Sequence, residues 1–179
     1  MPHRIHILGA SGSGTTTLGK ALAEQLACPH FDTDGYYWLP TDPPFQTKRE
    51  IGERQRLLLD DLEHHDEWVL SGSLCGWGDV AIPHFTTVVS LWIPPEIRLE
   101  RLRHREKQRY GAAIEPGGSM NDAYQRFIEW AAGYDEGDLS MRSRQLHETW
   151  IAALPCPVVR IETDLSVTEK MRLLLSQIG

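Results

Sequence analysis

The sequence predicts an α/β sandwich of three layers, a five-stranded parallel sheet with helices on both faces. Three observations predict it. Five short strand-like stretches, around Ile5, Phe31, Val69, Val88 and Val159, punctuate the chain, and those around Val69 and Val88 are nearly continuous apolar runs, as strands covered on both faces should be. Longer stretches with apolar residues at helical spacing separate them. The first run also passes through a glycine-rich turn directly into the first of those stretches, a strand feeding a helix.

Taken in order, the first strand carries Ile5, Ile7 and Leu8, and the helix after the turn carries Leu18, Ala21, Leu22 and Leu26. Cys28-Pro29 ends that helix, because the residue before a proline is driven out of the helical region. His30 to Asp34 reads as a second strand closing on two carboxylates, Asp32 and Asp34. From Tyr36 to Phe45 an aromatic and proline-rich stretch is longer than an ordinary connection and reads as a functional loop. Lys48 to His65 is helical by Ile51, Leu58 and Leu62, Trp68-Val69-Leu70 is the third strand, and Thr86 to Ile93 is the fourth. Pro94-Pro95 opens the next helix, since proline is accepted in a first turn. That helix sets Arg98, Arg101, Arg105 and Arg109 on one face and stops at Gly111. A helix through Met120, Tyr124, Phe127, Ile128 and Ala131 ends near Gly133, and another covers Leu139 to Leu154. Val158 to Ile161 makes the fifth strand and Thr168 to Ile178 the closing helix.

A chain of 179 residues is expected to form one domain, residues 1–179, with a substantial core. Its net charge of −7 argues against nucleic acid or an anionic membrane as partner. The three cysteines are odd in number and lack C-x-x-C spacing, so a reducing cytoplasm is the simplest location and neither a disulfide framework nor a zinc site is expected. No apolar run approaches the roughly 20 residues that span a bilayer, and the first residues lack a signal-peptide pattern. The eight histidines show no paired ligand spacing and are expected at the surface.

The chemistry concentrates in Gly9-Ala10-Ser11-Gly12-Ser13-Gly14-Thr15-Thr16-Thr17. The spacing fits the phosphate-binding pattern G-x-x-x-x-G-K-[ST], in which glycines let backbone N–H groups turn inward and the helix N-terminus adds positive partial charge. Gly9, Ser11, Gly12, Ser13, Gly14, Thr15, Thr16 and Thr17 are the candidate nucleotide contacts, with the Thr16 hydroxyl on Mg²⁺. The lysine is missing: Thr15 stands in its place, and an uncharged donor bonds phosphate more weakly than an ionised one. Lys20 lies roughly 7.5 Å further along the helix and about 140° around it, so it cannot substitute.

The loop, the two-carboxylate strand and the arginine helix together resemble the nucleoside monophosphate kinase family and its small-molecule kinase relatives. Ile93 to Arg105 is similar to the adenylate kinase segment that enters the lid. That likeness implies a P-loop sandwich with a helical lid around 107–145, Arg101 against the adenine and Arg105 near the phosphates. Phe31-Asp32-Thr33-Asp34 is similar to the shikimate kinase strand, which implies Asp32 on Mg²⁺ through water and Asp34 at the acceptor hydroxyl. Asp32 to Trp38 and Trp68 to Gly72 are also similar to bacterial topology-modulation and adenylate kinase-like proteins.

Phosphoryl transfer needs a phosphate cradle, Mg²⁺, cations and a group that orients the acceptor. Thr16 and Asp32 are the expected metal-side residues, Asp34 the acceptor-orienting group or base, and Arg105, Arg142 and Arg144 the catalytic cations. The expected activity is an ATP-dependent kinase acting on a small acceptor, with a nucleoside monophosphate ahead of a shikimate- or gluconate-like alcohol. The partners are then a nucleotide and that acceptor, not nucleic acid or membrane, in a monomer or homodimer. Two competing classes remain. A nucleotide-binding module with little catalysis would follow from the loss of the lysine. A GTPase switch is suggested only by Asp32-Thr33-Asp34-Gly35, a D-x-x-G match, and the guanine-reading N-K-x-D is missing.

Overall fold

The structure, a computed structural model, describes residues 2–178. Five strands form one parallel sheet in the order β2-β3-β1-β4-β5: β1 is Arg4–Gly9, β2 His30–Asp32, β3 Trp68–Ser71, β4 Thr87–Leu91 and β5 Val158–Ile161. Helices α1 (Thr15–Leu26), α2 (Thr33–Tyr37), α3 (Ile51–Glu63), α4 (Pro95–Tyr110), α5 (Asn121–Ala132), α6 (Arg144–Ala152) and α7 (Val167–Ile178) connect and cover it.

Side chains alternate across a strand, and the two faces of this sheet have separate cores. Ile5 and Ile7 of β1, Val69 of β3, Val89 and Leu91 of β4 and Ile161 of β5 meet Leu18 and Leu22 of α1 and Leu174 of α7. On the other face Leu8, Trp68, Leu70 and Val88 meet Leu58 and Leu62 of α3 and Ile151 of α6. A smaller cluster of Leu102, Ile128 and Ala131 joins α4 to α5.

Several elements depart from the sequence reading. The stretch expected as a loop from Tyr36 begins inside α2, because the Asp32 carboxylate accepts from the Asp34 N–H at 3.0 Å and caps a helical turn. Asp34 therefore sits in the first turn of a helix rather than on a strand. The following segment folds back on itself, with the Leu39 N–H donating to the Thr47 carbonyl and the Arg49 N–H to that of Tyr37. A 3₁₀ turn at Asp79–His84 had no sequence signal. The sixth helix starts at Arg144 rather than Leu139, where the Ser143 hydroxyl accepts from the Leu146 N–H.

Two histidines expected at the surface are buried. His6 stacks on Phe85 at 5.1 Å and hydrogen-bonds the Leu70 carbonyl through Nδ1. His147 bridges Ser73 and Tyr134 at 3.1 and 2.9 Å. Burial holds both below the usual histidine pKa, at about 3 for His6 and about 4 for His147.

Candidate active site

The carboxyl ends of β1, β2 and β3 converge where the strand order reverses, with β1 lying between β3 and β4. In open α/β sheets ligands bind at such a switch point. β1 releases the chain into the glycine loop, whose Gly12 and Gly14 take φ of +84° and +94°. A side chain on Gly12 would come within 2.7 Å of the Arg98 carbonyl, so the loop lies directly beneath α4. Gly14 caps α1 without any side-chain hydrogen bond, and the first turn of α1 holds no acidic residue. The first helical bond runs from the Leu18 N–H to the Gly14 carbonyl, which leaves the N–H groups of Thr15, Thr16 and Thr17 for an anion.

Arg98 fixes this loop from behind. It is fully buried, its Nη2 bonds the Asp135 carboxylate at 2.6 Å, and its Nη1 donates to the carbonyls of Ala131 at 3.3 Å and Ser11 at 3.4 Å. The sequence reading grouped Arg98 with the other arginines of its helix. The structure separates it as the buried tie among the P-loop, α4 and the end of α5.

The Thr16 hydroxyl donates to the Asp32 carboxylate at 2.8 Å. As hard oxygen donors this pair would suit a magnesium ion, for which one or two protein oxygens suffice. Asp34 opens onto the cleft beside them. Its side chain is exposed on the cleft, and partial desolvation by the surrounding protein, with the Asp32 charge, raises its pKa above the ordinary carboxylate value. Arg142, Arg105 and a hydrogen bond with Trp38 pull the other way. Asp32 and Asp34 are held by a close approach: Gly72, at φ +114°, abuts Thr33 between them, and a Cβ there would fall 1.8 Å from the Thr33 Oγ1.

Two cavities meet at this point. The larger, about 780 Å³, is lined by Gly12, Gly14, Thr15, Thr16, Thr17, Asp32 and Asp34 on one side, and by Arg101, Arg105, Arg109 and Lys170 on the other. The smaller, about 480 Å³, is lined by Asp34, Trp38, Leu39, Thr41, Pro44, Phe45 and Arg49. Asp34 and Phe45 belong to both. A phosphate chain on the loop and a second ligand in the smaller cleft would therefore face one another across Asp34.

The candidate residues divide accordingly. Gly9, Ser11 and Ser13 do not line the cavity; they shape the loop from below, with the Ser13 N–H donating to the Ala10 carbonyl. Arg101 lines it while paired to Asp164 at 2.8 Å, and Arg105 lines it while paired to Glu106 at 2.9 Å. Arg142 stacks over Trp130 at 5.5 Å and has no carboxylate partner among the described residues, yet its charge reaches Asp34. Arg144 turns away, over Trp92 at 5.0 Å and toward Glu162 at 3.7 Å. Lys20 is exposed and outside the cavity. Sequence reasoning missed Lys170 and Arg109 as cavity residues. Arg109 had a signal in the arginine spacing of α4, and it reaches across to stack on Phe45 at 5.0 Å. Lys170 had none, since a lysine in an amphipathic helix reads as solvent-facing.

A family model described as an AAA domain matches residues 5–123. An uncharacterized protein of Bacillus subtilis, YqaC, is 54% identical over 171 residues, covering 96% of this chain and 94% of that protein. A shikimate kinase of Bacteroides thetaiotaomicron is 31% identical over 158 residues, covering 82% of this chain and 90% of the kinase. Among solved structures, shikimate kinase from Acinetobacter baumannii in complex with shikimate superposes with a TM-score of 0.57 at 22% identity, covering 100% of this chain and 97% of that one. That last likeness is one of fold.

Proposed function

The chain belongs to the AAA-domain P-loop family, among its small-molecule kinases, and on that premise we propose that it transfers the γ-phosphoryl group of ATP to a hydroxyl of a small anionic acceptor held beside Asp34. The observation that carries this reading is the position and environment of Asp34. It forms the wall shared by the two cavities, and its raised pKa suits a proton acceptor. An alcohol must lose a proton as it attacks, and a poised carboxylate can take it. A phosphate monoester oxygen already lacks that proton and needs no such group.

In this mechanism the free N–H groups of Thr15 to Thr17 and the loop backbone hold the phosphates, and Arg101 flanks the nucleoside. Thr16 and Asp32 would hold Mg²⁺, which would supply positive charge to offset the charge developing on the transferring phosphoryl group. Arg105 and Arg109 supply positive charge from the α4 side, and Arg142 stands free for the acceptor's negative group. Arg144 serves this site only if its pairing with Glu162 breaks. The helical segment 107–145 acts as the lid that excludes water. The shikimate kinase relative supports a hydroxylated acid as acceptor.

A second reading, a nucleoside monophosphate acceptor, is favoured by the aromatic rings of Trp38 and Phe45 on the smaller cleft, which could stack on a base. The test is ADP formation from ATP and Mg²⁺ with a panel of shikimate, sugar acids and nucleoside monophosphates. Acceleration by a hydroxy acid or sugar acid supports the first reading, and acceleration by a nucleoside monophosphate alone supports the second. Nucleotide binding with no acceptor-dependent turnover would leave a binding module and refute both.

A further inference from the structure

The larger cavity contains a charge that the fold leaves unbalanced. Lys170, in the first turn of α7, is 4% exposed and lines the same cavity as Thr15, Thr16 and Thr17. It lies one turn before Leu174, a fully buried core residue. Side chains four apart share a helix face, so its stem runs into the protein and its amine end meets the cavity. Among the described residues that ammonium makes neither a hydrogen bond nor an ion pair. The carboxylate whose field reaches it, Asp164, is taken by Arg101 at 2.8 Å. Burial and the Arg101 charge together lower its pKa below the usual lysine value.

The stem of Lys170 is packed in the protein while its ammonium opens on the cavity, so a cation held there without a counterion is placed to meet an anion. The same cavity lacks a cation where phosphate loops carry one, because Thr15 occupies the lysine position. We propose that Lys170 binds the phosphate chain of the nucleotide, a lysine supplied from the last helix in place of the one missing at Thr15, with the phosphates as its counterion. This rests on the reading of the larger cavity as the nucleotide site. A lysine suits the task, since its ammonium is a compact charge with three rotatable donors that can follow phosphate oxygens.

The test is calorimetric titration of Mg·ADP, tripolyphosphate and adenosine into the wild type, K170M, K170R, T15K and the T15K/K170M double variant. K170M should weaken ADP and tripolyphosphate about tenfold, the loss of one charge-assisted bond, and leave adenosine unchanged. K170R, which keeps the charge, should retain most of the affinity. Without ligand, K170M should melt at or above the wild-type temperature, because an apolar chain of similar length replaces an unbalanced charge. T15K should raise ADP affinity by a larger factor in the K170M background than in the wild type. The proposal is overturned if K170M and wild type bind ADP alike, if adenosine weakens as much as ADP, or if T15K adds the same factor in both backgrounds. A K170M protein that fails to fold would also overturn it, by making Lys170 a structural residue. A wild type that binds neither ADP nor tripolyphosphate would refute the nucleotide site itself, a separate outcome.

Discussion

Replacing Asp135 with asparagine isolates the contact that ties the P-loop to the rest of the molecule. The substitution keeps the shape of the side chain and leaves an oxygen to accept from the Trp92 indole, which bonds the Asp135 Oδ1 at 2.6 Å. It removes the charge opposite Arg98, whose guanidinium is fully buried and whose Nε already lacks a partner. Stranding a buried charge costs about 3–5 kcal/mol, and the low end applies because the Asp135 side chain is 21% exposed. At about 3 kcal/mol, a chain of this size should melt about 6–12 °C lower. The comparison is E148Q, which breaks the Arg160–Glu148 pair: both bonds are 2.7 Å, but the side chains are 41% and 42% exposed. That change should cost about 1 kcal/mol or less. R98M should melt above D135N, since it removes the stranded charge, yet weaken nucleotide binding through loss of the Ser11 contact. Calorimetric melting of the four proteins, without and with nucleotide, reads all of this. A D135N protein melting within about 2 °C of the wild type, or R98M melting below D135N, would refute the argument.

Three other outcomes are expected. D34N should lower kcat about a hundredfold or more, as loss of a general base does, with little change in nucleotide affinity measured by titration. Because the folded protein binds the Asp34 proton more tightly than the unfolded chain, its ionisation costs stability above the folded pKa; D34N should therefore melt at or above the wild type at pH 8, and the difference should shrink toward acid pH. G72A should cost about 2 kcal/mol or more in denaturant titration, because its Cβ has no room beside Thr33, and kcat should fall as Asp32 and Asp34 shift; an unchanged melting curve would contradict that packing. His6 and His147 are held neutral in the fold, with pKa values of about 3 and about 4. Their contribution is full above the unfolded value near 6.5 and is lost as pH falls toward 4. Melting temperature should drop between pH 7 and 4.5, with a shallower slope in H147Q.

The parts of the molecule legible in the sequence obey local rules. Apolar runs placed the strands at Ile5, Val69, Val88 and Val159, and glycine spacing placed the loop and Thr16, because a P-loop is a short segment with its own backbone requirements; the Thr16–Asp32 contact appears only in the fold. The parts that were not legible depend on partners far away in the chain. Nothing near Arg98 in sequence says that it is buried against Asp135, 37 residues on. His6 reads as a polar residue in a strand until Phe85 and Trp150 cover it. The turn of helix at Asp34 arises from a single capping bond that competes with strand propensity. Arg142 and Arg144 differ by two residues and point to different places because Trp130 and Trp92 offer them separate surfaces.

We propose that a polyphosphate rests on the backbone of Gly12 to Thr17 beside the Thr16–Asp32 pair, although Thr15 stands where a P-loop carries lysine. Titrating ADP into the protein with and without Mg²⁺, for the wild type and for T16A, tests it most directly. Saturable binding that strengthens with Mg²⁺ in the wild type, and loses that dependence in T16A, is the expected result. No heat and no rise in melting temperature at millimolar nucleotide, for adenine and guanine compounds alike, would contradict it.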